Sequence, residues 1–270
     1  MSLVVAGVCT AALAAPPLGG AQGGSIKAAP DRGGESNRGA ERVANAISTR
    51  SKYIRRARFS AIPPFSNPSA VSNKRLAGFP LSGSTFGILS TGNALDADNS
   101  NNAPNRSTSL GGPSIRGSRD VTIMRMDLNV PKNARCLSIR FKFLTEEFPE
   151  FVNSEFNDAF IAELDVSSWD TVSKEDPTIN APKNFAQTVD GGLISVNAAG
   201  DAAVTAARAK GTTYDGATRR LRASTPVTPG RHILYLSLFD QGDREFDSTV
   251  FVDRLTLDRR TPCKSGAVKD

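Results

Sequence analysis

The chain has 270 residues, 39% of them hydrophobic and 22% charged, with three cysteines, one histidine and a net charge of +6. This composition is too mixed for a bundle of membrane helices, and a single histidine excludes a multi-histidine metal site. Residues 1–75 hold eleven Lys and Arg against three Asp and Glu, whereas residues 76–270 hold 22 against 24. Because the positive charge is concentrated near the N-terminus, we expect no nucleic-acid partner for the folded part.

The first segment, residues 1–15, is apolar and rich in alanine. It ends in Ala12-Leu13-Ala14, which fits the small-residue rule of signal peptidase cleavage sites. It is also shorter than the roughly 20 apolar residues that a membrane-spanning helix needs. We therefore expect a signal peptide, no transmembrane segment, and a protein that is secreted, extracellular or loosely associated with the cell surface.

The cysteines agree with export. Cleavage of the signal would remove Cys9 and leave Cys136 and Cys263. An even number of cysteines in an oxidising compartment is typical of one disulfide bond. The alternative is a pair of unrelated buried thiols.

Residues 16–60 are rich in Gly, Ala, Ser and Arg and have no sustained hydrophobic period. This predicts a flexible basic arm, with room for a short helix between Glu41 and Ile54. A cluster of basic and aromatic residues in the arm fits nucleic acid, an anionic envelope polymer or lipid headgroups, but also a solvated spacer, which we favour. The cluster consists of Arg50, Lys52, Tyr53, Arg55, Arg56, Arg58 and Phe59.

From residue 61 to residue 270 the chain consists of short apolar runs bounded by turn residues. Leu137, Ile139 and Phe141 alternate with polar residues, and so do Met124, Met126, Leu128 and Val130. This alternation indicates half-buried antiparallel strands. Strands are predicted over residues 85–90, 121–130, 135–144, 159–164, 193–197, 219–223, 232–239 and 249–257. We therefore predict one all-β domain, an antiparallel two-sheet sandwich of the jelly-roll type with long polar loops.

Two of those loops carry several carboxylates each, which holds like charges close together unless something compensates them. Calcium is bound by about six to eight oxygen atoms from carboxylates, amides and backbone carbonyls. Calcium is accordingly the one cofactor that the sequence suggests. The candidate ligands are Glu146, Glu147, Asn157, Asp158, Asp240, Asp243 and Asp247. In the alternative interpretation these groups cap turns and pair with Arg244, Arg140 or Arg254.

The same segments resemble the bacterial choice-of-anchor L domain family. The resemblance implies a β-sandwich module of secreted or surface-attached proteins and implies neither an enzymatic activity nor a particular ligand. The motifs that carry it are Glu146-Glu147-Phe148-Pro149-Glu150-Phe151-Val152, Phe156-Asn157-Asp158, Phe79-Pro80-Leu81, Thr213-Tyr214-Asp215-Gly216 and the runs 88–92 and 242–248.

These observations predict an extracellular or cell-surface binding or structural module, for example in adhesion, with an unidentified glycan or protein as its partner. Trp169 and Tyr214 are the candidate aromatic residues for stacking on a sugar, unless they cover an edge of the core. The alternative function is a carbohydrate-active hydrolase that uses paired carboxylates, Glu147 with Asp240 or Asp247.

Overall fold

The structure is a computed structural model that describes residues 24–31, 37–102, 106–171 and 178–270. The predicted signal peptide, residues 1–15, lies outside the described residues. Two helices are α1 (Arg38–Ile47) and α2 (Ala206–Ala209), and single 3-10 turns occur at Ser51–Tyr53, Ala94–Asp96 and Gly200–Ala202. The strands are β1 (Ile26–Ala28), β2 (Ile54–Ala61), β3 (Ser69–Ser72), β4 (Phe86–Ser90), β5 (Arg119–Val130), β6 (Cys136–Thr145), β7 (Ala159–Leu164), β8 (Asp170–Thr171), β9 (Ile179–Asn180), β10 (Ile194–Ser195), β11 (Gly216–Ala217), β12 (Leu221–Pro226), β13 (Gly230–Asp240), β14 (Ser248–Asp258) and β15 (Gly266–Lys269).

The strands form two main antiparallel sheets. The larger sheet has the order β1-β3-β4-β14-β6-β12-β15, with β11 also paired to β6, and the smaller has the order β10-β7-β13-β5-β2. The quartet β4-β14-β6-β12 faces the quartet β5-β13-β7-β10, and this is the strand order of a jelly roll. The predicted all-β, two-sheet antiparallel sandwich is therefore confirmed.

The core lies between the inner faces of the two sheets. Met124, Met126 and Leu128 of β5 are fully buried there, as the alternating pattern predicts. Across the core, Phe141 of β6 contacts Phe160 of β7, with ring centroids 5.0 Å apart. Burial of each such side chain contributes roughly 1.5–3 kcal/mol, so this layer is the main source of stability.

Loops cover parts of both outer faces as well. On the larger sheet, Phe86 and Phe251 pack under Phe79, which lies in the connection from β3 to β4. On the smaller sheet, Phe239 lies under Trp169. Residues on the nominally polar faces of the strands are for this reason also buried near these loops.

The prediction of a flexible arm over residues 16–60 is wrong for its described residues, 24–31 and 37–60. Helix α1 packs Val43 and Ile47 into the main core, and β2 pairs with β5 along the edge of the smaller sheet. Three arginines of the basic and aromatic cluster, Arg55, Arg56 and Arg58, lie on β2, where Arg55 and Arg56 are exposed. Charged side chains are usual on an edge strand because they discourage pairing with other chains. The folded unit thus begins before residue 61.

The predicted disulfide bond is present. Cys136 at the start of β6 is bonded to Cys263 in the segment that joins β14 to β15, with Cα atoms 5.5 Å apart and a sequence separation of 127. The bond holds the segment of residues 259–265 against the larger sheet.

Candidate functional site

The two acidic loops lie at the same end of the sandwich, and each one crosses from one sheet to the other. Residues 146–158 connect β6 of the larger sheet to β7 of the smaller sheet, and residues 241–247 connect β13 to β14. Thr145 pairs with Ser248 and Phe239 pairs with Ala159, so four strand ends lie side by side. The register of these strand pairs therefore brings together the residues that flank the four ends.

Five of the candidate ligands occupy positions at or next to those strand ends, and all five are buried. Glu146, Glu147 and Asp158 have no exposed surface, Asp240 is 2% exposed and Asp247 is 5% exposed. An ionised carboxylate is costly to bury unless it is paired with a cation or accepts several hydrogen bonds. The partners of these groups therefore decide the chemistry of the site.

Most of the buried carboxylate oxygens have no partner in the described part of the chain. Both oxygens of Glu146, both of Glu147, Oδ2 of Asp158 and Oδ1 of Asp240 form no hydrogen bond of normal geometry with a described residue. None of these four residues forms an ion pair with a described Lys or Arg. The backbone N–H groups of Arg106 and Asp158 are close enough only to lower the pKa values of Glu146 and Glu147 in part. Buried polar atoms are satisfied in most proteins, so this concentration of unsatisfied oxygens is the unusual feature of the site.

None of the three arginines of the alternative interpretation pairs with a candidate ligand. Arg244 Nη1 donates to Oδ1 of Asp120 at 2.7 Å, and Arg140 Nε donates to Oδ1 of Asp270 at 2.9 Å. Arg254 is exposed. Salt bridges from these arginines therefore do not compensate the buried candidate ligands.

Asp120 is an acidic member of the site that the sequence analysis missed. It is 2% exposed at the start of β5, where it is a single acidic residue between Arg119 and Val121 rather than part of an acidic run. Pairing of Arg119 with Asp240 brings it to the same end of the sandwich, and its charge contributes to raising the pKa of Asp240. No local sequence signal marks it, because its position depends on the register of β5 against β13.

Burial and mutual repulsion raise the pKa values of the two glutamates. Burial raises the pKa of Glu146 to about 8, and repulsion from Asp215 and Asp247 adds to the effect. Burial raises the pKa of Glu147 to about 10, with further contributions from Asp158 and Asp243. In the absence of a cation these carboxyl groups hold their protons at neutral pH.

The aspartates of the cluster behave in the same way. Burial raises the pKa of Asp240 well above its ordinary value, and the charges of Asp158 and Asp243 raise it further. The pKa of Asp158 is also raised well above its ordinary value, chiefly by burial. Burial raises the pKa of Asp247 to about 6, less than the others because hydrogen bonds from Thr108 favour its charged form.

The two remaining candidate ligands differ from each other. Asp243 is half-buried at the mouth of the cluster, where its charge raises the pKa of Glu147. Asn157 is half-buried, and its Oδ1 accepts a hydrogen bond from the backbone N–H of Asn197 at 3.1 Å. The six predicted carboxylates therefore lie at the same end of the sandwich, and Asn157 helps to fix the loop.

The cluster is a concentration of buried carboxyl groups rather than a complete metal coordination shell. Among the described residues, no group of three or more His, Cys, Asp and Glu side chains is arranged to hold a metal ion. Calcium sites in proteins also take ligands from backbone carbonyls and water. A complete coordination shell at this position needs such ligands in addition to the carboxylates.

The two candidate aromatic residues for stacking on a sugar, Trp169 and Tyr214, are buried. Trp169 has no exposed surface, because its ring stacks on Phe239 with centroids 4.1 Å apart and the guanidinium of Arg116 lies 5.0 Å from its centroid. Tyr214 is 3% exposed and packs in the cluster that covers the larger sheet. Neither ring is presented for stacking on a sugar, and both cover the core, as the alternative interpretation holds.

The paired carboxylates of the alternative hydrolase are equally inaccessible. A glycoside hydrolase has to place both carboxyl groups in contact with the sugar at the scissile bond. Glu147 and Asp240 are buried beneath the loops that carry them. The geometry does not favour this chemistry.

Comparison with known proteins agrees with the fold and the motifs. The family model described as the choice-of-anchor L domain matches residues 48–258, more than half of the chain. No curated protein and no solved structure matches the chain. None of the described helices is long and apolar enough to cross a membrane. A choice-of-anchor domain indicates a secreted or surface module and is not a known enzyme family. The chain belongs to the choice-of-anchor L domain family.

Proposed function

We propose that this protein is an extracellular binding module whose two sheet-crossing loops are held in place by a calcium ion in the acidic cluster. One observation carries the proposal: Glu147, Asp158 and Asp240 are buried side by side with carboxylate oxygens that have no partner among the described residues. The site neutralises itself by binding either protons or a cation. Outside the cell calcium is available at concentrations that suit weak sites of this kind.

Calcium suits the cluster better than a smaller or softer metal. All the candidate donors are oxygen atoms, which calcium and magnesium prefer over nitrogen and sulfur ligands. Magnesium demands a nearly ideal octahedron, whereas calcium tolerates irregular shells with carbonyl and water ligands. A cluster whose carboxylates arise from two different loops and four strand ends fits the more tolerant ion.

The loops above the cluster provide the surface for recognition. Phe151 of the first loop contacts Phe246 of the second, with centroids 4.9 Å apart, so the two loops form one unit. Glu150 and Val152 are exposed on its rim, and Val152 is one of the large apolar side chains open to solvent. A cation below the loops removes their mutual repulsion and holds this rim in one conformation. The partner that the rim recognises is an extracellular glycan or protein.

Thermal denaturation of the full chain with millimolar calcium and with a chelator tests the proposal. A ligand that binds only the folded state raises the melting temperature by mass action. We expect calcium to raise it in the wild type and in Glu150→Gln, which removes an exposed carboxylate from the same loop. We expect little or no rise in Glu147→Gln, which keeps the shape of the side chain and removes its charge.

Magnesium and sodium chloride at matched ionic strength separate specific binding from screening. A calcium response that magnesium and sodium reproduce fully, or one that survives in Glu147→Gln, contradicts a calcium site at the cluster. No response to calcium in the wild type contradicts it as well, and would leave protons as the neutralising partner of the buried carboxylates.

A further inference from the structure

A cavity with three basic side chains in its wall lies on the outer face of the larger sheet, away from the acidic cluster. It has a volume of about 220 Å³ and lies between β12, β15 and the segment of residues 259–265. Its charged lining consists of Arg222, Arg260 and Lys264. Arg222 faces Arg140 in the middle of β6, five positions before Thr145, so at about 3.3 Å per residue the cavity lies well over 10 Å from the acidic end.

The two guanidinium groups have unused donors inside the cavity wall. The Nε atoms of Arg222 and Arg260 are buried and have no hydrogen-bond partner among the described residues. Arg222 forms no ion pair with a described residue. Arg260 has a long ion pair, 3.6 Å to Oδ2 of Asp258, and its Nη2 donates to Sγ of Cys136 at 3.4 Å. The side chain of Arg222 thus has no acceptor among the described residues, which leaves its charge available to an anionic ligand.

The local charge balance points to an anion. Burial lowers the pKa of Arg222, repulsion from Arg260 and Arg140 lowers it further, and Asp270 and Asp258 offset only part of this. Asp270 is already shared between the guanidinium groups of Arg140 and Arg220, at 2.9 and 2.8 Å. The cavity thus keeps an excess of positive charge that the nearby carboxylates do not neutralise.

The cavity is built on fixed elements. Arg222 lies on β12, which is paired on one side to β6 and on the other to β15. Arg260 and Lys264 flank Cys263, whose disulfide bond to Cys136 ties their segment to β6. Ser224 Oγ donates to the carbonyl of Lys264 at 2.9 Å and fixes the same segment from the other side. Positions set in this way need no reorganisation when a ligand enters.

We propose that this cavity binds an oxyanion, a carboxylate, sulfate or phosphate group on a small organic body, through Arg222 and Arg260. A guanidinium group presents paired N–H donors that match the spacing of such oxygens. Val189, which is 81% exposed, lies at the cavity edge and provides apolar contact for the body that carries the charge. The volume suits one charged group and the part of the molecule next to it. A single acidic sugar, at the end of a glycan or within it, has this size.

Calorimetric titration of the full chain with sulfate, inorganic phosphate and glucuronate, at constant ionic strength, tests this site. We expect saturable binding of at least one probe, and the probe that binds distinguishes a tetrahedral oxyanion from a carboxylate. Arg222→Gln and Arg260→Gln are expected to weaken that binding roughly tenfold or more, because each removes a charge-assisted pair of hydrogen bonds. Arg231→Gln, which removes an exposed arginine at the start of β13, is the matched control.

Two outcomes would overturn the site. One is the absence of saturable binding of all three probes to the wild type. The other is equal weakening by Arg231→Gln, which would indicate attraction to the overall surface charge. Thermal denaturation without probe verifies that each variant is folded. If Arg222→Gln does not fold, Arg260→Gln still tests the site, because the side chain of Arg260 is 31% exposed. Binding is expected to persist in chelator, so its result is independent of the calcium proposal.

Discussion

Asp247 fills the space that a side chain at position 92 would need. A Cβ atom built on Gly92 would overlap Oδ2 of Asp247, whose other oxygen accepts a hydrogen bond from the N–H of Thr108 at 2.7 Å. Gly92 lies two residues after the end of β4 and against Asp247, and is therefore part of the wall of the acidic cluster. The close approach of a carboxylate, rather than an unusual backbone angle, explains the glycine at this position.

Gly92→Ala is therefore expected to destabilise the protein by about 1–3 kcal/mol, the usual cost of forcing an extra methyl group into a packed site. Urea denaturation in chelator measures the free energy of unfolding without any contribution from calcium. In the Asp247→Ala background the overlapping carboxylate is gone, and Gly92→Ala should cost much less. Equal costs in both backgrounds would show that the overlap with Asp247 is not the reason for the glycine.

The sequence predicted the elements of this fold better than their contacts. Alternation in β5 and β6 identified both strands, because each buries one face in the core between the sheets. The part before residue 61 was predicted wrongly for two physical reasons. The apolar stripe of α1 is short and diluted by Ala, Gly and Arg, and β2 is an edge strand whose arginines resemble a solvated spacer.

For the candidate site, too, the sequence identified some residues and missed others. Two acidic runs in the sequence identified Glu147 and Asp240, because clustered carboxylates are unusual next to strand ends. Asp120 was missed, since only the pairing of β5 with β13 brings a single acidic residue to that end. The burial of Trp169 was likewise left open, because it depends on a loop folding over the outer face of a sheet, which has no periodic signal.

Stability in chelator should fall as the pH rises, and calcium should oppose the fall. The pKa of Glu146 is about 8 and that of Glu147 is about 10 in the folded state, both above the ordinary value of 4.5. Between pH 4.5 and those values the folded state holds more protons than the unfolded state, so each rise in pH favours unfolding. Melting temperatures in chelator at about pH 6, 7.5 and 9 should therefore decline, and the decline should be smaller with calcium.

Glu147→Gln provides the control for this pH dependence. The amide cannot ionise, so this variant should show a shallower decline in chelator than the wild type and little change on adding calcium. Glu150→Gln changes an exposed carboxylate and should follow the wild type. A wild-type stability in chelator that is constant from neutral to alkaline pH would contradict the retention of protons by the buried glutamates.

Trp169 should behave as a core residue, and its fluorescence should report its burial. It is the only tryptophan of the chain and has no exposed surface. We expect blue-shifted fluorescence that acrylamide quenches poorly and that glycans do not change. Trp169→Ala should cost about 3–5 kcal/mol, the usual range for removing a large buried aromatic side chain, whereas Trp169→Phe should cost less because it keeps a ring over Phe239. Quenching comparable to that of the unfolded chain would place the ring at the surface and restore it as a candidate ligand contact.

The N-terminal segment should contribute measurable stability through Asp31. Its two carboxylate oxygens accept hydrogen bonds from the backbone N–H groups of Gly39 and Ala40, at 2.6 and 2.9 Å, and so cap the first turn of α1 from outside the helix. Loss of a cap costs about 0.5–2 kcal/mol, and α1 carries Val43 and Ile47 into the core. Urea denaturation of the full chain should therefore show Asp31→Ala to be less stable than the wild type by about that amount, within one cooperative transition. Glu41→Ala removes an exposed carboxylate from the same helical turn and should cost less. If Asp31→Ala is no more destabilising than Glu41→Ala, or if α1 unfolds in a separate earlier transition, then the segment before residue 48 is not an integral part of the sandwich.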